Sequence, residues 1–318
     1  MSSPPFEQFC KNELEGAVAS LETLRKSARN WMFISFLPLI IGVLIFVSGL
    51  TNTGENPGGG FIFFAVVFFL ITGIFFYLYN KKKKRYVFAF KEAVVRKIIN
   101  YINPAFEYYP GNCISQTDYQ NSGLFLTECD RYSGDDYVMG VEGETKFCFS
   151  ELHTEHHVQA GKNSYWETIF KGLFFMADFN KNFDGRTFVW NENSPQLNFF
   201  SKIFSSFAHG LEKVKLESSD FEKRFIVYSN DQVEARYILS PSLMERMVDL
   251  HDTISSNIVF SFVNTNINVA IPINRDLFEP TIYSTPGLNL MSDYYYTVQL
   301  VFEVMKELNL NLRIWNKA

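Results

Sequence analysis

Between residues 30 and 80 this chain has one acidic or basic side chain, Glu55. That shortage excludes an ordinary water-exposed surface over 51 consecutive positions. Basic residues are missing from Thr51 to Gly60, and proline is missing from Phe61 to Ile102, where Gly73 is the one glycine. The first absence excludes a positively charged connection, the second a break in a long helix. Cysteine is sparse: Cys10, Cys113, Cys129 and Cys148 are separated by 103, 16 and 19 residues, without a C-x-x-C pair. Such spacing argues against a zinc ribbon or finger and fits small buried apolar side chains in a reducing compartment. Also missing are G-x-x-x-x-G-K-S/T, G-x-G-x-x-G after a strand, and G-x-S-x-G. Their absence removes the P-loop, dinucleotide and nucleophile-elbow readings.

Apolar residues fill the uncharged stretch. Trp31 to Leu50 gives 20 predominantly apolar residues and Phe61 to Tyr79 gives 19. At about 1.5 Å per helical residue, each reaches across the roughly 30 Å hydrocarbon core of a bilayer. Arg25, Lys26 and Arg29 precede the first run and Lys81-Lys82-Lys83-Lys84-Arg85 follow the second. Eight basic residues against none in the connection predict both ends in the cytoplasm and the connection outside. A cleaved signal peptide fits badly, because the apolar run is too long and begins after 30 residues that include four glutamates. Neither run holds a charged residue, so neither offers an ion or proton path. Pro38 and Gly42 are expected to permit a bend and close packing.

The expected organisation is an amphipathic helix over 1–30, a transmembrane hairpin over 31–80, a basic flank and helical stalk over 81–103, and a cytoplasmic α+β region over 104–318. The whole chain has 29 basic and 34 acidic residues; residues 1–85 hold 9 and 5, leaving 20 and 29, a net of −9. That acidic balance argues against nucleic acid, whose phosphates call for clustered Lys and Arg. The one basic cluster lies at the membrane flank, where it suits topology and anionic headgroups. The bilayer is therefore the expected partner; a protein partner is expected too, of unreadable identity.

Near the N-terminus Ser3 and Pro4 suit a helix start, and Leu14, Ala17, Leu21, Leu24 and Ala28 form a short seam. Gly42 and Gly49 lie seven apart on the first run. Together they predict a homo-oligomer, with closure of the seam on the stalk of the same chain as the alternative. In the stalk, Val87, Phe88, Phe90, Val94, Val95, Ile98, Ile99 and Ile102 cover more than a stripe, so packing on two sides is expected. Asn103-Pro104 stops it.

Beyond residue 130 the period changes to strand. Asp136–Val141 and Thr145–Val158 flank Glu142-Gly143-Glu144, and Thr168–Phe179 reads as a strand buried on both faces with Thr187–Trp190 as its partner. Lys213–Glu217 and Arg224–Tyr228 are further candidates. Asn257–Val263 and Ile267–Ile271 alternate around Asn264-Thr265-Asn266, a hairpin signal. Helices are predicted from Ser240-Pro241 and over Ser292–Asn309. Strands in hairpins favour α+β with mainly antiparallel sheet and flanking helices.

For chemistry, the sharpest pattern is Glu151-Leu-His153-Thr-Glu155-His156-His157. On a strand, Glu151, His153, Glu155 and His157 share one face, and such a donor set suits zinc, iron or manganese. A polar exposed strand face is the plain alternative. Asp178-Phe-Asn180-Lys-Asn182-Phe-Asp184-Gly185 resembles half a calcium loop, but Phe183 and Val189 stand where glycine and glutamate belong, so a turn is expected. His209 and His251 read as structural, Asp130, Asp135 and Asp136 as a solvated turn. No cofactor is expected, and catalytic residues are not identifiable.

Several phrases are specific together: Phe149-Ser-Glu-Leu152, Ile169-Phe-Lys-Gly-Leu-Phe-Phe175, Ala177-Asp-Phe-Asn-Lys181, and Val227-Tyr-Ser-Asn-Asp-Gln-Val-Glu-Ala-Arg-Tyr-Ile-Leu239 followed by Met244-Glu245. With two spans upstream, the chain resembles the bacterial membrane family catalogued as domain of unknown function 3137. The resemblance implies an inner-membrane location and no particular activity. Within the last phrase, Asn230-Asp231 is expected to cap a short helix, Val233, Tyr237, Ile238 and Leu239 to make apolar contacts, and Glu234 and Arg236 to pair with neighbours. The functional expectation is a membrane-anchored cytoplasmic binding or scaffolding module. The alternatives are a membrane-bound enzyme with a metal near Glu151–His157 and an oligomeric two-span channel.

Overall fold

The computed structural model describes residues 4–51, 58–179, 182–191, 210–254 and 257–307. His209, Asn180, Lys181, Leu308 and most of the Thr51–Gly60 connection lie outside these residues. The chain divides into two compact units, Met1–Ile98 with Phe278–Tyr294, and Ile99–Leu277 with Tyr295–Ala318.

The first unit is built on α1 (Pro4–Phe9), a π turn (Cys10–Leu14), α2 (Glu15–Thr51), α3 (Gly58–Phe90) and a second π turn (Lys91–Val95), continued by α4 (Arg96–Ile102). Its long helices are long and apolar enough to cross a membrane, and only 22 % and 6 % of their most apolar stretches are buried. The core helix of a soluble domain hides its apolar side chains; here Phe33, Leu37, Leu44, Phe63, Leu70 and Ile74 all stand exposed. Pro38 is carried inside α2. Gly42 sits where α2 meets α3: a Cβ there would lie 3.1 Å from Phe68 Cβ.

The N-terminal seam closes inside the chain, against α3 and the second π turn. Its buried members are Phe6, Cys10, Leu14, Val18, Leu21, Arg25 and Ala28, whereas Ala17 and Leu24 are only half-buried. Steps of four residues overshoot an α-helical turn, and the wider π turn at Cys10–Leu14 absorbs that drift. The stalk is packed as its sequence suggests: Tyr86, Phe90, Val94, Val95, Ile98 and Ile99 are buried, while Phe88 is exposed. Lys97 Nζ donates to Glu13 O at 3.0 Å, tying stalk to N-terminal helix.

The second unit contains β1 (Glu107–Tyr109), α5 (Gln116–Asn121), β2 (Arg131–Glu142), β3 (Thr145–Ala160), β4 (Asn163–Asp178), β5 (Arg186–Asn191), β6 (Glu212–Val214), α6 (Ser219–Glu222), β7 (Phe225–Ser229), α7 (Gln232–Ile238), α8 (Pro241–Ile254), β8 (Val259–Val263) and β9 (Asn266–Pro272). Helix α9 (Leu288–Glu307) begins in the first unit and ends in the second. Among the described residues, nine strands form one sheet in the order β1-β2-β3-β4-β9-β8-β5-β7-β6, every pairing antiparallel. The fold class is α+β. Two-residue turns join β2 to β3, β3 to β4 and β8 to β9, each led by a residue with positive φ: Gly143 at 62°, Gly161 at 62° and Asn264 at 59°.

Strand β4 is buried on both faces over Gly172–Phe175, as its continuous apolar run requires. Its partner differs from expectation. The β8–β9 hairpin inserts between β4 and β5, so β4 pairs with β3 and β9 while β5 pairs with β7 and β8. Leu152, Phe170, Phe174, Phe188 and Trp190 pack one core under Ile114, Tyr119 and Leu124. Elsewhere on the sheet, Phe106 stacks on Phe302 of α9 at 5.2 Å and meets Phe147 edge-on at 5.1 Å. Each fully buried aromatic contributes roughly 1.5–3 kcal/mol relative to exposure.

The motif Asp231–Leu239 is structural in part. Asp231 Oδ1 accepts from Val233 N at 2.9 Å and Glu234 N at 2.8 Å, capping α7, and Ile238 and Leu239 are buried. Val233 and Tyr237, expected inside, are exposed, because the 3.6-residue period of α7 turns them away from Ala235 and Ile238. Glu234 and Arg236 do not pair with each other. Glu234 accepts from Gly185 N at 2.7 Å, and Arg236 donates to Gln232 O at 2.9 Å.

Candidate functional site

The β2–β3 pairing slips once. Asp135 faces Glu151 and Val138 faces Phe149, so Asp136 and Tyr137 together oppose Ser150. This bulge holds Asp136 at φ 57°, a left-handed conformation that aspartate tolerates better than most residues. A bulge re-aims side chains. Here it brings ligand oxygens of Asp135, Asp136 and Glu151 within 4.8 Å of one another. Asp136 and Glu151 are buried, which corrects the expectation of a solvated turn around Ser133-Gly134. Gly134 permits the close approach: a Cβ there would lie 2.4 Å from Glu151 O.

Each buried carboxylate has a fixed partner. Tyr108 Oη donates to Asp136 Oδ1. Leu277 N donates to Glu151 Oε2 at 2.8 Å. Burial pushes the Glu151 carboxyl up from 4.5 to about 7; the Leu277 N–H opposes that rise, and the charges of Asp135, Asp136 and Asp276 add to it. Lys171 lies near this group but is committed to Asp276 at 2.8 Å, which holds its ammonium above the usual lysine range. Three carboxylates so placed offer oxygen ligands of the kind a divalent cation takes.

Of the four residues expected to ligate metal, Glu151 alone joins this cluster. His153 Nε2 lies 3.4 Å from Thr168 Oγ1. Glu155 Oε2 accepts from Arg131 Nη1 at 2.8 Å. The His157 ring rests 4.9 Å from that of Trp166, which also lies under the Arg131 guanidinium at 3.8 Å. Side chains two apart on a strand are separated by about 6.6 Å, so convergence on one ion needs a donor from the next strand. The β2 bulge supplies that donor only beside Glu151. Past Glu155, β3 leaves β2 and runs on with β4 as a two-stranded ribbon, where His156 Nδ1 and His157 N meet Asp130 Oδ2 at 2.7 and 2.8 Å.

The other titratable groups fit structural roles. His251 lies 2.9 Å from Asn191 Nδ2 and 3.0 Å from Asp252 Oδ1, and Arg224 clamps Asp252 through Nε and Nη2 at 2.9 and 2.7 Å. The Arg224 guanidinium and the His251 contact hold the Asp252 carboxyl down at about 2. All four cysteines are free thiols. Burial raises each of them, Cys10 and Cys148 to about 11, which suits inert core packing. The roles of Asp136 and Tyr108 depend on one extra residue in β2, which no period-two pattern in the sequence marks.

Residues 168–310 match the family model described as "Protein of unknown function (DUF3137)". The likeness to that family is confined to this segment. The matched segment runs from within β4 through α9 and includes neither the bulge cluster nor the two apolar helices. No curated protein matches the chain. The crystal structure of the mycobacterial trehalose monomycolate transport factor A, TtfA, is similar over 68 % of this chain and 93 % of that one, at 9 % identity and a TM-score of 0.33. A likeness at that level carries no argument.

Proposed function

We propose that the chain is a membrane-anchored binding or scaffolding module of the bacterial inner membrane, with both termini in the cytoplasm. The observation that carries the reading is the exposed apolar surface of α2 and α3, flanked by eight basic residues and joined by a connection with none. The acidic net charge of residues 86–318 and the family resemblance agree with a bacterial cytoplasmic face. Two measurements test the reading. The full chain should stay with membranes after alkaline carbonate extraction. A reporter active only in the periplasm, fused after Ala318, should be silent; strong activity would overturn the topology.

A second reading, a metal-dependent activity near Glu151–His157, has one specific observation behind it: Asp135 and Asp136 reach Glu151. Elemental analysis of the purified full chain decides it. Stoichiometric metal lost on Asp135→Asn with Asp136→Asn would place the ion in the bulge. Loss on His153→Ala with His157→Ala would place it on the β3 face. A metal-free protein after loading with zinc or manganese would end this reading.

A further inference from the structure

A segment remote in sequence returns to the place where the first apolar run begins. Arg25, which is buried, donates through Nη1 to Ile282 O at 2.8 Å while its Nε and Nη2 hold Glu22 at 2.8 and 2.6 Å. Thr285 Oγ1 meets the same glutamate at 3.5 Å, and Glu279 lies 3.6 Å from Lys91 Nζ. These charge-assisted contacts fix residues 279–285 against α2 and the second π turn. Tyr283 also reaches α2. Its hydroxyl donates to Met32 Sδ at 3.4 Å, yet 65 % of the residue is exposed.

Met32 is the second residue of the 20-residue apolar run. At that end of the hairpin stand Trp31, which pairs with Phe75 at 5.7 Å, and the exposed Tyr77. The exposed basic side chains of Lys26, Lys81, Lys83, Lys84 and Arg85 follow on the same flank. Aromatic rings with one polar end, next to cations, are what a bilayer's headgroup level selects. A solvent-exposed tyrosine held by its hydroxyl to the first turn of a span has no such logic in water.

We propose that residues 279–285 form a third, peripheral contact with the bilayer, Tyr283 lying among the phospholipid headgroups as an anchor beside the basic flank. The partner is the headgroup layer of the membrane that α2 and α3 cross, so the inference rests on the membrane reading above. Its consequence is that α9, which begins at Leu288, is tethered at the membrane surface through a short connection rather than through the hairpin alone.

The test uses the full chain in nanodiscs containing phosphatidylglycerol, with the photoreactive amino acid benzoylphenylalanine at one position at a time. Tyr283 is the test site and Leu70, in the second span, the positive control. Lys11 is the negative control, because it precedes Met32 by 21 residues, about 30 Å of helix. Lipid adducts at position 283, several-fold above those at position 11 and read by mass spectrometry, support the anchor. Adducts at 70 without adducts at 283 overturn it while leaving the spans intact. Adducts at neither position remove the membrane reading and the anchor with it. A second measurement guards against a local effect of the probe: Tyr283→Asp removes the Met32 contact in any medium, so it should lower the melting temperature clearly more in nanodiscs than in detergent. An equal drop in both would show a purely intramolecular role.

Discussion

Replacing Glu151 by glutamine should remove most of the protein's loss of stability on going from pH 5 to pH 8. Glu151 is 7 % exposed and its carboxyl is pushed from 4.5 to about 7 in the folded chain. A raised carboxylate favours folding fully below its unfolded value of 4.5. That contribution is lost as pH rises through about 7, because the folded state must then ionise a buried group. A gap of about 2.5 pH units corresponds to about 3 kcal/mol. Glu22 and Asp252 are shifted the other way, to about 2, by Arg25 and Arg224. Their contributions are complete above the unfolded carboxylate values and vanish only in acid, so they stay flat across this window. In Glu151→Gln the side-chain amide oxygen would still accept the Leu277 N–H, preserving the contact while deleting the charge. The assay is guanidinium unfolding of the full chain in mild detergent with a chelator present, followed by tryptophan fluorescence, to which Trp190 contributes from a fully buried position stacked on Phe188 at 5.4 Å. Wild type and variant should unfold nearly together at pH 5, with the variant more stable by about 3 kcal/mol at pH 8. Parallel curves across the range would refute the assignment of the cluster's charge to Glu151.

Gly172 holds φ at 150°, and a Cβ there would lie 2.2 Å from Ile271 O and 2.6 Å from Ile273 N. Gly172→Ala should therefore force β4 from β9 at a cost on the order of 3 kcal/mol or more, seen as poor accumulation or a much lower melting temperature. An unchanged melt sinks the argument. Asp231→Ala should cost about 1 kcal/mol through the lost cap of α7, and Asp231→Asn much less, measured by the same unfolding curves. Leu21→Asp should lower the melting temperature without changing the particle mass by light scattering, since Leu21 is buried within its own chain. A dimer that becomes a well-folded monomer would instead place the seam between copies.

Much of the local structure is legible in the residues. The apolar runs, their basic flanks and the stop at Asn103-Pro104 mark the helical hairpin and stalk, because span length and proline geometry are properties of contiguous chain. Period-two alternation around Gly143 and Asn264 marks two β hairpins, and Ser240 and Asp231 mark helix starts through the backbone N–H groups they accept.

Tertiary structure alone decides what these elements meet. The β8–β9 hairpin separates β4 from β5, although β5 follows β4 in sequence, because strand order depends on pairings no local pattern encodes. The carboxylate cluster arises from one extra residue in β2 and from Leu277, 126 residues from Glu151. The Tyr283–Met32 contact spans 251 residues. Alternation on β3 puts Glu151, His153, Glu155 and His157 on one face, but a face is a line of side chains about 6.6 Å apart. Only a neighbouring strand, displaced by a bulge, turns one point on that line into a cluster.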